Sequence, residues 1–320
     1  MLILEDLSAE IPDTNSYHWK MKELSEDDGE RVLMYGYNSS ANAKFHQQCE
    51  NYKTRAFFNN WSPCEFAQHQ DHNGRSSTTY DRDFNFIYSI CPHSVAWLNS
   101  LNLGREYKEI FYPYNKDIVP DEEEKIYDVI YHGGIHGKEH IECLEAMSKH
   151  NYQYLTMTHN INQTTMNYMW FSTQRDLEFK EKIKEVAKSK ISVCYNIAHV
   201  FPHHIPIIKS QPHWEQNEAF TSIDKASAVM PQFKTRMHEA AISKTLNLVF
   251  RDEWHIADRC YKPGEDFIYF DNARDLAQKM KDVIGDWENY APMVESAYQK
   301  AKQYTTDKFV EQIRSQIETK

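Results

Sequence analysis

The sequence is short of the features that mark membrane, secreted and nucleic-acid-binding chains. No stretch approaches the roughly 18 consecutive apolar residues that crossing a bilayer takes. The opening segment, MLILEDLSAEIPD, carries acid at Glu5 and Asp6 and lacks the basic start and apolar run of a secretory signal. The six cysteines (Cys49, Cys64, Cys91, Cys143, Cys194 and Cys260) are scattered without C-x-x-C spacing, which reads as reduced thiols. These absences give the expectation of a soluble cytoplasmic protein. Basic residues are also scarce, 36 against 47 acidic ones, for a net charge of −11. Neutralising phosphates takes Lys and Arg, so this balance opposes a nucleic-acid partner. There is no fixed-period repeat and no low-complexity tract. G-x-G-x-x-G, G-x-x-x-x-G-K-[ST] and H-E-x-x-H are all missing, so those dinucleotide, ATP and zinc-protease readings have no support.

What the chain does have is enough apolar material for more than one core. It runs to 320 residues, 41% hydrophobic and 13% aromatic, and a length beyond the usual size of one core predicts two domains. Short apolar runs alternate with helix-period segments in the second half. Strands are predicted at Ile126 to Tyr131, Tyr152 to Met157, Ile191 to Tyr195, Leu246 to Phe250 and Phe267 to Phe270. Helices carrying Leu144, Ile183, Met237 and Met280 fall between or after them. Such alternation predicts an α/β fold with a parallel sheet covered on both faces.

The first half is similar in kind, with strands at Leu2 to Leu4, Val32 to Tyr35, Arg55 to Phe58 and Phe84 to Ser89, and a helix from His93 to Leu101. The polar stretch KDIVPDEEEK suits a linker. The expected organisation is therefore a first domain over 1–115, a linker over 116–125, a second domain over 126–290 and closing helices over 291–320. Residues 198–232, rich in His and Pro, fit no simple period and are expected to hold long loops.

Three segments carry the candidate chemistry. HGGIHGKEH (132–140) lies between a strand and a helix. Its Gly133-Gly134 pair makes either a tight turn or a cradle where backbone approaches an anion, with Lys138 adding charge. His132, His136 and His140 stand four apart, as zinc ligands on one helix would, but the glycines break such a helix and no metal is expected. In KTRMHEAAISKTLNLVFRDEWH (234–255), Lys234 and Arg236 sit at a helix start, where cations oppose the dipole unless an anion is bound. Glu239 can accept two hydroxyl hydrogen bonds from a ribose. A plain Arg–Glu pair one turn apart, worth tenths of a kcal/mol, is the competing reading. In YKPGEDFIYFDNARDLAQKM (261–280), a Pro-Gly turn precedes a strand and a capped helix.

In this order and spacing, DVIYHGG (128–134), RMHEAA (236–241), LVFRDE (248–253) and KPGEDFIYF (262–270) resemble the donor domain of GT-B glycosyltransferases in the broad "glycosyl transferases group 1" family. The resemblance spans 126–315 and extends more weakly to 84–114. It implies two Rossmann-like domains with parallel sheets facing across a cleft, and metal-independent transfer of a sugar from a nucleotide-diphosphate donor such as a UDP- or GDP-sugar. No separate cofactor is implied. Carried over, Glu239 contacts the ribose, Arg236 and Lys234 face the diphosphate, and Gly133 and Gly134 lie at its phosphate end. The acceptor is open: a saccharide, a lipid head group, a protein side chain or a modified base.

The sequence also departs from the family. Pro231 stands where many retaining members carry a second Glu, and Ser243-Lys244 replaces the usual glycine before the next strand. The alternatives are a non-catalytic nucleotide-sugar or glycan-binding homologue, or an epimerase or hydrolase on the same fold. An inverting enzyme needs a general base on the acceptor side. AQHQDHNGRSS (67–77) offers His69 and Asp71, with His72 and His93 as further candidates.

Overall fold

In the computed structural model of the chain, the described residues are 1–5, 17–36, 48–59, 84–100, 102, 104–135, 137–156, 171–199, 205–209 and 229–318. They form two compact units. Unit 1 comprises Met1–Pro113, Ile197–Phe233 and Thr306–Lys320, and unit 2 comprises Tyr114–Asn196 and Lys234–Thr305.

Unit 1 is built on β1 (Leu2–Glu5), β2 (Arg31–Gly36), β3 (Thr54–Asn59), β4 (Phe86–Ser89) and β5 (Glu106–Glu109), paired in chain order. Every pairing is parallel. Strand side chains alternate between faces, and two separate cores follow from that. Val32, Met34, Phe57 and Ile87 point to one core, joined by Leu98 of α2 (Pro92–Ser100). Leu33, Tyr35, Phe58 and Tyr88 point to the other. That second face is covered by Tyr17 and Met21 of α1 (Tyr17–Glu23) and by a C-terminal helix described below. β5 (EYKE) buries only Tyr107, so its charged sequence carried no strand signal. In the His- and Pro-rich stretch, β10 (Ile197–His199) pairs antiparallel with β11 (Val229–Pro231), and α5 spans Ile205–Lys209.

Unit 2 holds β6 (Tyr127–His132), β7 (Tyr152–Thr156), β8 (Gln174–Arg175), β9 (Ser189–Cys194), β12 (Leu246–Phe250) and β13 (Phe267–Phe270). Their order across the sheet is β13-β12-β9-β6-β7-β8, all parallel. The order reverses between β6 and β9, the switch point where α/β sheets open a crevice at the carboxyl ends of their strands. Helices cover both faces. On one, α3 (Gly137–Met147) packs on α7 (Ala273–Gly285); on the other, α4 (Phe179–Ala187) and α8 (Ala291–Ala301) pack on α6 (Arg236–Ile242). Ile130, Leu155, Val186 and Ala240 form the apolar contact beneath α4 and α6.

Local chemistry sets these elements. Asn272 caps α7 by accepting from the N–H groups of Arg274 and Asp275 at 3.0 and 3.1 Å, and Leu276, Met280 and Val283 form its buried stripe. α6 ends in a Schellman arrangement: Thr245 N–H donates to Ala240 O at 3.0 Å and Lys244 N–H to Ala241 O at 3.2 Å. Lys244 itself takes φ +49°, the left-handed conformation that glycine adopts most readily. The last helix, α9 (Thr306–Glu318), belongs to unit 1, where Phe309, Val310, Ile313 and Ile317 enter its core. Phe58 and Phe309 meet edge to face at 4.7 Å.

Candidate functional site

The candidate site lies in unit 2, at the carboxyl ends of β6 and β9. β6 delivers Tyr131, His132, Gly133 and Gly134 there. Gly133 has φ +145° and donates its N–H to Leu155 O at 3.0 Å. Tyr131 fixes the next residue, its hydroxyl donating to Gly134 O at 2.6 Å.

The approach of α6 is anchored from just beyond β9 and from β12. The Lys234 N–H donates to Asn196 Oδ1 at 2.9 Å, and Asn247 Nδ2 donates to Met237 O at 3.1 Å. This holds Arg236 over β6. Its guanidinium lies on the open face of Gly133, where a Cβ would sit 1.9 Å from Nη2, and 5.6 Å from the Tyr131 ring centroid. Among the described residues no carboxylate pairs with Arg236. Arg236 and Lys234 both act electrostatically on the Cys194 thiol, whose pKa burial nonetheless raises to about 12.

One turn along, Glu239 is 3% exposed and its Oε2 lies 3.0 Å from Lys182 Nζ of α4 and 3.1 Å from His132 Nδ1. Both nitrogens lie within hydrogen-bonding distance of Oε2, and the Lys182 charge adds electrostatic attraction. Burial pushes the Glu239 carboxyl upward, but the Lys182 ammonium and the His132 imidazole outweigh it and hold Glu239 well below the usual carboxylate range. Burial dominates at His132 and lowers its pKa against the pull of Glu239. The resulting arrangement is an ionised Glu239, a neutral His132 and a charged Lys182 resting 4.0 Å over the Phe179 ring. His132 Nε2 lies 3.4 Å from Ser192 Oγ on β9.

Of the residues singled out from sequence, the structure brings Gly133, Gly134, Arg236 and Glu239 together, with Lys234 at the entry to the same helix. Lys138 stands apart: its side chain is 82% exposed and reaches Glu142 at 3.3 Å. His140 is buried 4.0 Å from the Tyr195 ring, while His132 faces Glu239. Among the described residues no cluster of three metal-ligating side chains occurs. His136, His69, Asp71 and His72 lie outside the described residues, and His93 is half-buried on α2 in unit 1. Lys182 and the pairing role of His132 were not legible in the sequence. FKEKIKEVAK reads as a charged helix face, and only the folded chain shows which lysine turns inward.

Comparison with known proteins gives a consistent architecture. No protein-family model and no curated protein sequence matches the chain. Among solved structures, Anabaena HepE in complex with UDP is similar at 10% identity and a TM-score of 0.64, over 100% of this chain and 99% of that one. Sucrose-phosphate synthase from Thermosynechococcus elongatus is similar at 10% identity and a TM-score of 0.58, over 90% and 73% of the two chains. The pneumococcal O-GlcNAc transferase GtfA, in complex with UDP and GlcNAc, is similar at 12% identity and a TM-score of 0.56, over 94% and 59%. The likeness at these identities is one of fold, and with two units built on parallel sheets the chain has the GT-B architecture.

Proposed function

We propose that this chain is a glycosyltransferase of the "group 1" kind, moving a sugar from a nucleotide-diphosphate sugar to an acceptor hydroxyl. The observation that carries the reading is the Arg236 guanidinium. It is fixed against Gly133 with no carboxylate among the described residues to neutralise it, one turn from an ionised, buried Glu239. Arg236 and Lys182 supply two positive charges against the one negative charge of Glu239. That excess suits a diphosphate, and the planar fork of arginine suits its paired oxygens.

In this reading Glu239 accepts hydrogen bonds from the ribose hydroxyls, and Arg236 with Lys234 faces the diphosphate. Stabilising charge on the departing diphosphate is the main catalytic effect. The glycine pair serves the site differently from a bare phosphate cradle, because the space a Cβ would take at Gly133 holds the guanidinium. His69 and Asp71 remain the proposed bases on the acceptor side. Transfer without a metal is proposed from the family resemblance. UDP is the first nucleotide to test, because it is named with HepE and GtfA, and GDP the second. The acceptor class stays open among saccharide, lipid head group, protein and modified base. No helix among the described residues is long and apolar enough to cross a membrane, and a cytoplasmic location is proposed.

The test is a thermal-shift panel of uridine, guanosine, adenosine and thymidine diphosphates, with magnesium or EDTA, on wild type and Arg236→Ala. A ligand that binds only the folded state raises the midpoint by mass action. Selective stabilisation by one diphosphate, lost in the variant, supports the donor site and selects the sugar nucleotide for transfer assays. Binding without turnover would favour the non-catalytic homologue, and breakdown of donor without acceptor a hydrolase. No shift with any diphosphate would sink the donor reading.

A further inference from the structure

We infer that Lys125, at the end of the sheet opposite the candidate site, is a positioning residue for Arg236, Glu239 and Lys182. The inference rests on the donor-site reading above but concerns a residue that touches none of the ligand.

Lys125 stands two residues before β6. Its Nζ donates to Ala187 O at 2.7 Å, Thr245 Oγ1 at 3.2 Å and Ser243 O at 3.3 Å. Ala187 is the last residue of α4, and Ser243 is the C-cap of α6. Two of these bonds therefore meet the carboxyl ends of two helices, where the helix dipoles favour a cation, and the third meets the Thr245 hydroxyl. Thr245 extends the junction, its hydroxyl lying 2.8 Å from Val186 O and 3.0 Å from Ser189 O. The start of β6 is fastened to the same place, with the N–H groups of Ile126 and Tyr127 donating to Lys188 O at 2.9 and 3.0 Å.

The elements gathered there are the ones that carry the site at their other ends. β6 ends in His132 and Gly133, the first turn of α4 carries Lys182, and the first turns of α6 carry Arg236 and Glu239. The Lys182–Glu239 contact joins α4 to α6 at the site, and Lys125 joins them at the base. Short helices transmit such a constraint as nearly rigid rods, because α4 and α6 share one packed core. A change in their spacing at the base is thus felt at the Lys182–Glu239 contact.

The test compares Lys125→Met, Lys182→Met and the double variant for UDP affinity by calorimetry. Burial pulls the Lys125 amine down to about 7, with Glu122 drawing it up and Lys244 pushing it down, so the titration is run at pH 6. Lys125→Met is expected to weaken UDP about tenfold in the wild-type background and under about threefold beside Lys182→Met, the non-additivity of residues coupled through one contact. Equal losses in both backgrounds, or no loss, would overturn the inference. Lys125→Gln, shorter and uncharged but still a donor, serves if the methionine variant does not fold. Hydrogen exchange on the free protein gives a second readout: peptides over 234–242 should lose protection in Lys125→Met while those over 267–270 keep it. If wild type binds no diphosphate, the donor reading fails by itself. The exchange result then still decides the coupling, and unchanged protection over 234–242 counts against it.

Discussion

The guanidinium of Arg236 occupies the space where any residue but glycine at position 133 would carry its Cβ, with Nη2 1.9 Å from that point. Each residue thereby defines what the other can be.

Gly133→Ala should remove nucleoside diphosphate binding before it removes the fold. The methyl group forces φ +145° on an L-residue and displaces a side-chain end that can swing away. A stability loss of about 1–3 kcal/mol should accompany a much larger proportional loss of UDP affinity. Thermal melts and calorimetry on one preparation check both.

Arg236→Lys keeps the charge and loses the planar fork. A charge-assisted bidentate contact is worth about 1.5–3 kcal/mol, so UDP should bind at least about tenfold more weakly. Uridine, lacking phosphate, should bind unchanged. Equal weakening of both ligands would assign Arg236 a role in holding the fold.

Glu239→Gln tests the buried charge. A carboxylate held below its ordinary pKa contributes stability above the unfolded value of about 4.3 and loses it as pH falls toward the folded value. The variant should therefore be less stable than wild type at pH 7, by about 1–3 kcal/mol once the partial exposure of Lys182 is allowed for. The difference should begin to narrow below about pH 4 and shrink further as pH falls toward the folded value. Urea unfolding at pH 7, 5 and 3.5 measures the difference, and parallel curves would show that Glu239 is not ionised in the fold.

Asp252 works in the opposite sense. Its Oδ1 accepts from the N–H groups of Trp254 and Ile256 at 3.0 and 3.2 Å, while its buried Oδ2 has no partner. Burial raises its pKa to about 6. The folded state then holds the proton more tightly than the unfolded one, so stability falls as pH rises from about 4 to 6 and stays lower above. Asp252→Asn keeps the capping oxygen and removes the desolvated charge. It should melt higher than wild type at pH 8 and level with it at pH 4; a constant offset at both would refute the assignment.

Much of the architecture was legible because the buried strands are nearly continuous apolar runs. LNLVF and FIYF appear as β12 and β13 with the expected bounds. Edge elements were not legible. β8 is two residues long, and β5 presents charge on all but Tyr107, so neither has a periodic signal to detect. At the candidate site, Gly133, Arg236 and Glu239 could be singled out because a glycine pair and a charged helix start are local patterns, while their proposed roles come from the family resemblance. Lys182 and Lys125 escaped because each is defined by distant partners. For Lys125 these stand 62, 118 and 120 residues away, and a lysine in DEEEK looks like any solvated one.

The division of the chain also has a consequence for biosynthesis. The boundaries at 113/114, 196/197, 233/234 and 305/306 pass the polypeptide from one unit to the other and back twice. The half translated first therefore waits for α9, whose Phe309 seats on Phe58, to finish its interior. Domains commonly fold one after another as they leave the ribosome. Here the threading means that the core face carrying Leu33, Tyr35 and Phe58 is completed only after residues 306–318 have been made. A chain stopped before 306 would lack the helix whose Phe309, Val310, Ile313 and Ile317 complete that core.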